Sequence, residues 1–147
     1  MGELITFSGT PIRILMVEDN DGDVLLTREM LAEAQIANDL FSICDGEAAI
    51  RFLQDAARNN PSDLPGLILM DINMPKLSGH EVMVAMRQNA LLTKIPVFLF
   101  TSSEAPSDIR QSKNNEATGY LVKPLDTDIF RRMISATPGF AFAGEKD

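Results

Sequence analysis

The stretch Leu67-Ile68-Leu69-Met70-Asp71-Ile72-Asn73-Met74-Pro75 decides the fold. Four apolar residues are too few for a helix, and they run into an aspartate and a proline turn. Leu67–Met70 therefore reads as a strand buried on both faces. Three further runs share this form: Ile12-Arg13-Ile14-Leu15-Met16-Val17, Val97-Phe98-Leu99-Phe100 and Tyr120-Leu121-Val122. A weaker fifth, Leu40-Phe41-Ser42-Ile43, alternates in the manner of a less buried edge strand.

Helical patterns fill the gaps. Val24, Leu31 and Ala34, with Leu26 and Met30 beside them, recur at spacings of three, four and seven. Asp45 is a good N-cap for a second helix through Ala48, Ala49, Ile50, Phe52 and Leu53, with Glu47 in its first turn and an end near Asn59-Asn60-Pro61. Ser78 and Glu81 have the spacing of a capping box and open a third. A fourth, from about Ser107 to Asn114, has little apolar content beyond Ile109 and should be exposed. The last runs from about Asp126 to Ala136 and stops at Thr137-Pro138-Gly139.

Five strands alternating with five helices predict an α/β fold: a parallel sheet, helices on both faces, right-handed crossovers. The pattern occupies residues 11–136. Residues 1–10 form an N-terminal extension, and 137–147 a tail whose Phe140 and Phe142 are expected either to be loose or to dock on a partner.

Thirteen basic residues against 21 acidic ones leave a net charge of -8, which disfavours nucleic acid and favours proteins or cations as partners. No apolar run approaches the roughly 20 residues that span a bilayer, and the start lacks the features of a signal peptide, so no membrane association and a cytoplasmic location are expected. Cys44 has no partner for a disulfide and reads as a small buried residue at a strand end.

In an open parallel sheet, ligands bind at the carboxyl ends of the strands. Glu18 and Asp19 follow the first strand, Asp71 the third, Thr101 ends the fourth and Lys123 the fifth. Three carboxylates brought together repel one another, so the cluster requires raised pKa values or a bound cation. Oxygen ligands favour Mg2+, and Mn2+ would also fit. With the cation in place, Asp71 can act as a nucleophile toward phosphorus, while Lys123 and Thr101 offer a charge and a hydroxyl to the transferring group.

At these residues the chain resembles the response regulator receiver family. The resemblance rests on Val17-Glu18-Asp19-Asn20, Leu69-Met70-Asp71-Ile72-Asn73-Met74-Pro75, Ser78-Gly79, Phe100-Thr101-Ser102-Ser103 and Tyr120-Leu121-Val122-Lys123-Pro124. It implies a flavodoxin-like doubly wound sheet of order 2-1-3-4-5. It also implies phosphoryl transfer to Asp71 from a sensor histidine kinase or a phosphotransfer protein, without the chain being an enzyme in its own right. Glu18 and Asp19 would be the acidic metal pair and the Asn73 carbonyl a further ligand. Lys123 would contact the phosphoryl group, Thr101 with Tyr120 would form the switch pair, and Lys123-Pro124 would be a cis peptide. Asn73 and Ser103 occupy positions that tune phosphate lifetime in the family. With about a dozen residues after the last helix, output is expected through contact with an unknown downstream protein. The opening Glu18-Asp19-Asn20-Asp21-Gly22-Asp23-Val24 and the stretch Asn59–Gly66 are similar to single-domain receivers serving phytochrome-type kinases, a likeness that also suggests a homodimer.

Other readings fit less well. Asp19, Asp21 and Asp23 mimic an EF-hand, but Val24 and Met30 stand where glycine and glutamate are required. His80 is the single histidine, too little for a zinc site or a triad, and reads as an exposed first-turn residue. A phosphatase forming an aspartyl-phosphate usually has a second aspartate where Asn73 stands. A receiver-like binding module that works without phosphate is the remaining alternative, and it would be favoured had Asp71, Lys123 or the acidic pair been replaced.

Overall fold

In the computed structural model, residues 2–6, 12–34, 36–37, 39–74, 76–102, 107, 109–110 and 117–142 are described. The central strands are β2 (Arg13–Val17), β4 (Asp39–Ile43), β5 (Leu67–Met70), β6 (Val97–Thr101) and β7 (Gly119–Val122). All pair in parallel in the order β4-β2-β5-β6-β7. Counting only these five, that is the expected 2-1-3-4-5. The weak strand β4 lies at an edge and is less buried, as its alternation predicts.

Because successive strand residues point to opposite faces, each strand feeds two cores. Ile14, Met16, Leu67, Leu69, Phe98 and Phe100 face α1 (Asp21–Glu33) and α4 (Thr127–Ala136), where Val24, Leu31, Phe130 and Ile134 meet them. Leu15, Val17, Ile68, Met70 and Leu99 face α2 (Gly46–Asn59) and α3 (Gly79–Met86). Phe98 and Phe130 meet edge to face at 6.4 Å between ring centroids, a geometry that adds to their area burial.

The caps read from sequence are in place. Asp45 accepts from the Ala48 N–H at 2.7 Å. Ser78 and Glu81 close a reciprocal capping box. Asp126, expected as the start of the last helix, is the N-cap of α4. Ser107, Ile109 and Arg110 are helical, while the rest of the expected fourth helix lies outside the described residues. Among the described residues no helix is long and apolar enough to cross a membrane.

Three expectations need correction. The two ends do not lie wholly outside regular structure: β1 (Gly2–Thr6) pairs in parallel with β3 (Ile36–Ala37) and antiparallel with β8 (Phe140–Phe142), a separate three-stranded sheet. Phe140 is buried in the α1–α4 core, so apolar burial fixes that part of the tail. Cys44 is exposed, because it follows the end of edge strand β4. His80 is buried, because α3 begins hard against the β5 loop: a Cβ on Gly79 would stand 2.4 Å from the Asp71 carbonyl oxygen. Only glycine permits that approach.

Candidate functional site

Hydrogen bonds continuing past the strand ends assemble the rim. The Glu18 N–H donates to the Ile43 carbonyl at 3.0 Å, and the Asp71 N–H to that of Val17 at 3.0 Å. The Lys123 N–H donates to the Thr101 carbonyl at 2.8 Å. Parallel pairing thus brings Glu18, Asp71, Thr101 and Lys123 to one edge from four separate parts of the sequence.

Oxygens of Glu18, Asp19 and Asp71 converge within 4.8 Å of one another, the group of acidic side chains able to hold a metal ion among the described residues. Glu18 and Asp71 are buried and Asp19 is exposed, so the cluster opens to solvent on the Asp19 side. Its hard oxygen donors suit Mg2+ or Mn2+, with water completing the shell. The Asn73 N–H donates to Asp71 Oδ1 at 3.1 Å, which pins the loop after β5 to the carboxylate.

Lys123 reaches into this cluster. Its Nζ donates to Glu18 Oε1 at 2.5 Å, to Asp23 Oδ2 at 2.8 Å and to Asp71 Oδ2 at 3.2 Å, so all three ammonium hydrogens have carboxylate partners. Burial pushes the Glu18 carboxyl up to about 7, against the Lys123 hydrogen bond, and the neighbouring Asp71 charge adds to the rise. Burial acts on Lys123 in the downward direction, but hydrogen bonds to Asp23 and Glu18 outweigh it and hold the ammonium above its ordinary value.

Thr101 is fully buried at the end of β6. Tyr120 is half-buried in β7, opposite Leu99 in register and packed against the α2–α3 core. Lys123-Pro124 is a cis peptide, as the resemblance implies. Sequence reasoning gave Asp23 no role in the site: it stood in a rejected EF-hand pattern and in the opening stretch Glu18–Val24. Its signal is its place in the first turn of α1, four residues after Asp19.

The family described as the response regulator receiver domain matches residues 14–135. The chain belongs to the response regulator receiver family. Response regulator Rcp1 of Synechocystis sp. (strain ATCC 27184 / PCC 6803 / Kazusa) is 35% identical over 133 residues, 90% of each chain. The structure of Mn(2+)-bound Rcp1 superposes with a TM-score of 0.68 at 37% identity, covering 84% of this chain and 89% of that one. The bacteriophytochrome response regulator AtBRR gives a TM-score of 0.76 at 31% identity, covering 91% and 98%. The phosphorylated cyanobacterial phytochrome response regulator RcpA gives 0.70 at 28%, covering 85% and 90%. As a receiver, the chain is a signalling protein. Members of this family take a phosphoryl group on an aspartate from histidine kinases and bind Mg2+ or Mn2+ at an acidic pocket.

Proposed function

We propose that Asp71 is the phosphoacceptor of this receiver, that Glu18, Asp19, Asp71 and the Asn73 carbonyl hold Mg2+ or Mn2+, and that Lys123 contacts the phosphoryl group. The observation that carries this reading is the Lys123 ammonium 3.2 Å from an Asp71 carboxylate that is itself part of a three-carboxylate group. An Asp71 oxygen attacks phosphorus, the bond from phosphorus to the donor breaks, and the donor leaves with that electron pair. The donor is a sensor histidine kinase of phytochrome type, for which likeness to AtBRR and RcpA is the support, or a phosphotransfer protein. A bound cation supplies positive charge that offsets charge on the transferring group. Lys123 supplies more and orients an oxygen, and Thr101 with Tyr120 reports the event to the surface beside β6 and β7. Assistance to its own phosphorylation and dephosphorylation comes from these groups, and output is through protein contact.

Intact mass after incubation with acetyl phosphate and Mg2+ tests the reading. The expected result is a gain of one phosphoryl group, absent when the metal is chelated and removed by neutral hydroxylamine, which cleaves acyl phosphates. Folded protein that gains nothing, from acetyl phosphate or from a kinase active on another receiver, would favour the phosphate-independent binding module.

A pH dependence follows for the cation. Glu18 must be ionised to serve as a ligand, and its folded value of about 7 lies above the ordinary 4.5. Below about 7 a proton competes with the metal; above it the site is free to bind. Mg2+ affinity measured by calorimetry is expected to be about tenfold weaker near pH 6 than near pH 8. Equal affinity at both would show that Glu18 either is no ligand or is already ionised at pH 6, and Glu18→Gln, which weakens binding only if Glu18 is a ligand, separates the two.

A further inference from the structure

Asp23 makes the second shortest contact to Lys123, 2.8 Å, yet it stands outside the three carboxylates that converge on a metal position. Its backbone is fixed. The Asp23 N–H donates to Asn20 Oδ1 at 3.0 Å and the Asp23 carbonyl accepts from Thr27 Oγ1 at 2.8 Å, so α1 presents its carboxylate from a rigid first turn. The side chain is partly exposed, unlike that of Glu18.

Cation binding alters the balance around Lys123. With a cation bound, Glu18 and Asp71 would direct oxygens to it, and its charge would repel the ammonium. Beside Lys123 lies an open concavity of about 400 Å³ lined by Asp23, Leu26, Thr27, Phe100, Ser102 and Pro124. A lysine without an anchor has room to swing into it, away from Asp71. An ammonium has three donors, so Lys123 can keep one on Asp23 while another reaches a phosphoryl oxygen.

We infer that Asp23 is a positioning residue of the phosphorylation chemistry, holding the Lys123 ammonium beside Asp71 when Glu18 and Asp71 turn to the cation. The inference rests on Asp71 being the phosphoacceptor. It assigns Asp23 no contact with phosphorus or with the metal; its action passes through Lys123.

The test is the initial rate of phosphorylation by acetyl phosphate at saturating Mg2+, followed by intact mass, with thermal melts confirming that each variant is folded. Asp23→Asn, nearly isosteric and uncharged, is expected to slow the reaction about tenfold. Asp23→Glu, which keeps the charge within reach of Lys123, is expected to restore most of the rate. The decisive comparison is made in a Lys123→Ala background, where Asp23→Asn should leave the already slow rate unchanged. A wild-type rate for Asp23→Asn overturns the inference, as does an equal fold-loss with and without Lys123. Failure of the folded wild-type protein to gain a phosphoryl group from either acetyl phosphate or a kinase active on another receiver is a separate result: it overturns the assignment of Asp71 and this inference with it.

Discussion

Asp71→Asn is expected to gain no measurable phosphoryl group from acetyl phosphate while remaining folded. The amide has the shape of the carboxylate but lacks its anionic oxygen, so the nucleophile is removed without opening a cavity. The surroundings can accept the change. The amide oxygen can still take the Asn73 N–H now at 3.1 Å from Asp71 Oδ1, although the amide's own N–H groups offer nothing to Lys123. Lys123 keeps Glu18 and Asp23, its two shorter contacts. Electrostatics should even ease, since the Asp71 charge is one of the causes that raise the Glu18 carboxyl. A thermal midpoint at or above that of the wild type is therefore expected, together with a lost phosphoryl gain. If Asp71→Asn still gains mass that hydroxylamine removes, the acceptor is another carboxylate. Asp19 and Glu18, in the same cluster, are then the residues to replace next.

Much of this site is visible in the chain because parallel sheets collect strand ends on one edge. Leu67–Met70, Val97–Phe100 and Ile14–Val17 are apolar on both faces, so they could only be central strands, and the residues after them had to share the rim. The caps were legible for a local reason: Asp45 with Ala48, and Ser78 with Glu81, are contacts three residues apart. What escaped reading depends on distant contacts. The β1-β3-β8 sheet joins Gly2–Thr6 to segments more than thirty and more than 130 residues later, and its partner strands β3 and β8, of two and three residues, are too short to carry a pattern. His80 looks solvated at a helix start until the Gly79 backbone is seen against Asp71. Asp23 looks like one more solvated acid in a helix first turn, and its role depends on a lysine 100 residues away.

Lys123→Ala is expected to lower the phosphorylation rate by about 10²–10³-fold, the range seen when one fixed charge or donor facing a developing anion is removed. Asp71 keeps its nucleophile and the acidic group can still hold a cation, so the loss isolates the ammonium's share. A second effect identifies where that ammonium sits. Glu18 has a side chain only 1% exposed and its Lys123 hydrogen bond is a cause that lowers its carboxyl. Without Lys123 the carboxyl holds its proton more tightly still. A carboxyl raised in the folded state favours folding at low pH, and this contribution declines as pH rises from about 4.5, where the unfolded group titrates, through the folded value. In metal-free protein, the thermal midpoint of Lys123→Ala should therefore fall below wild type by more at about pH 8 than at about pH 6, where Glu18 is already largely neutral. Lys123→Arg separates charge from geometry: the planar guanidinium retains the charge but cannot repeat three contacts at one nitrogen, so stability should recover more than rate. A Lys123→Ala protein phosphorylated as fast as wild type would remove Lys123 from the chemistry and leave it a purely structural counter-ion to Glu18, Asp23 and Asp71.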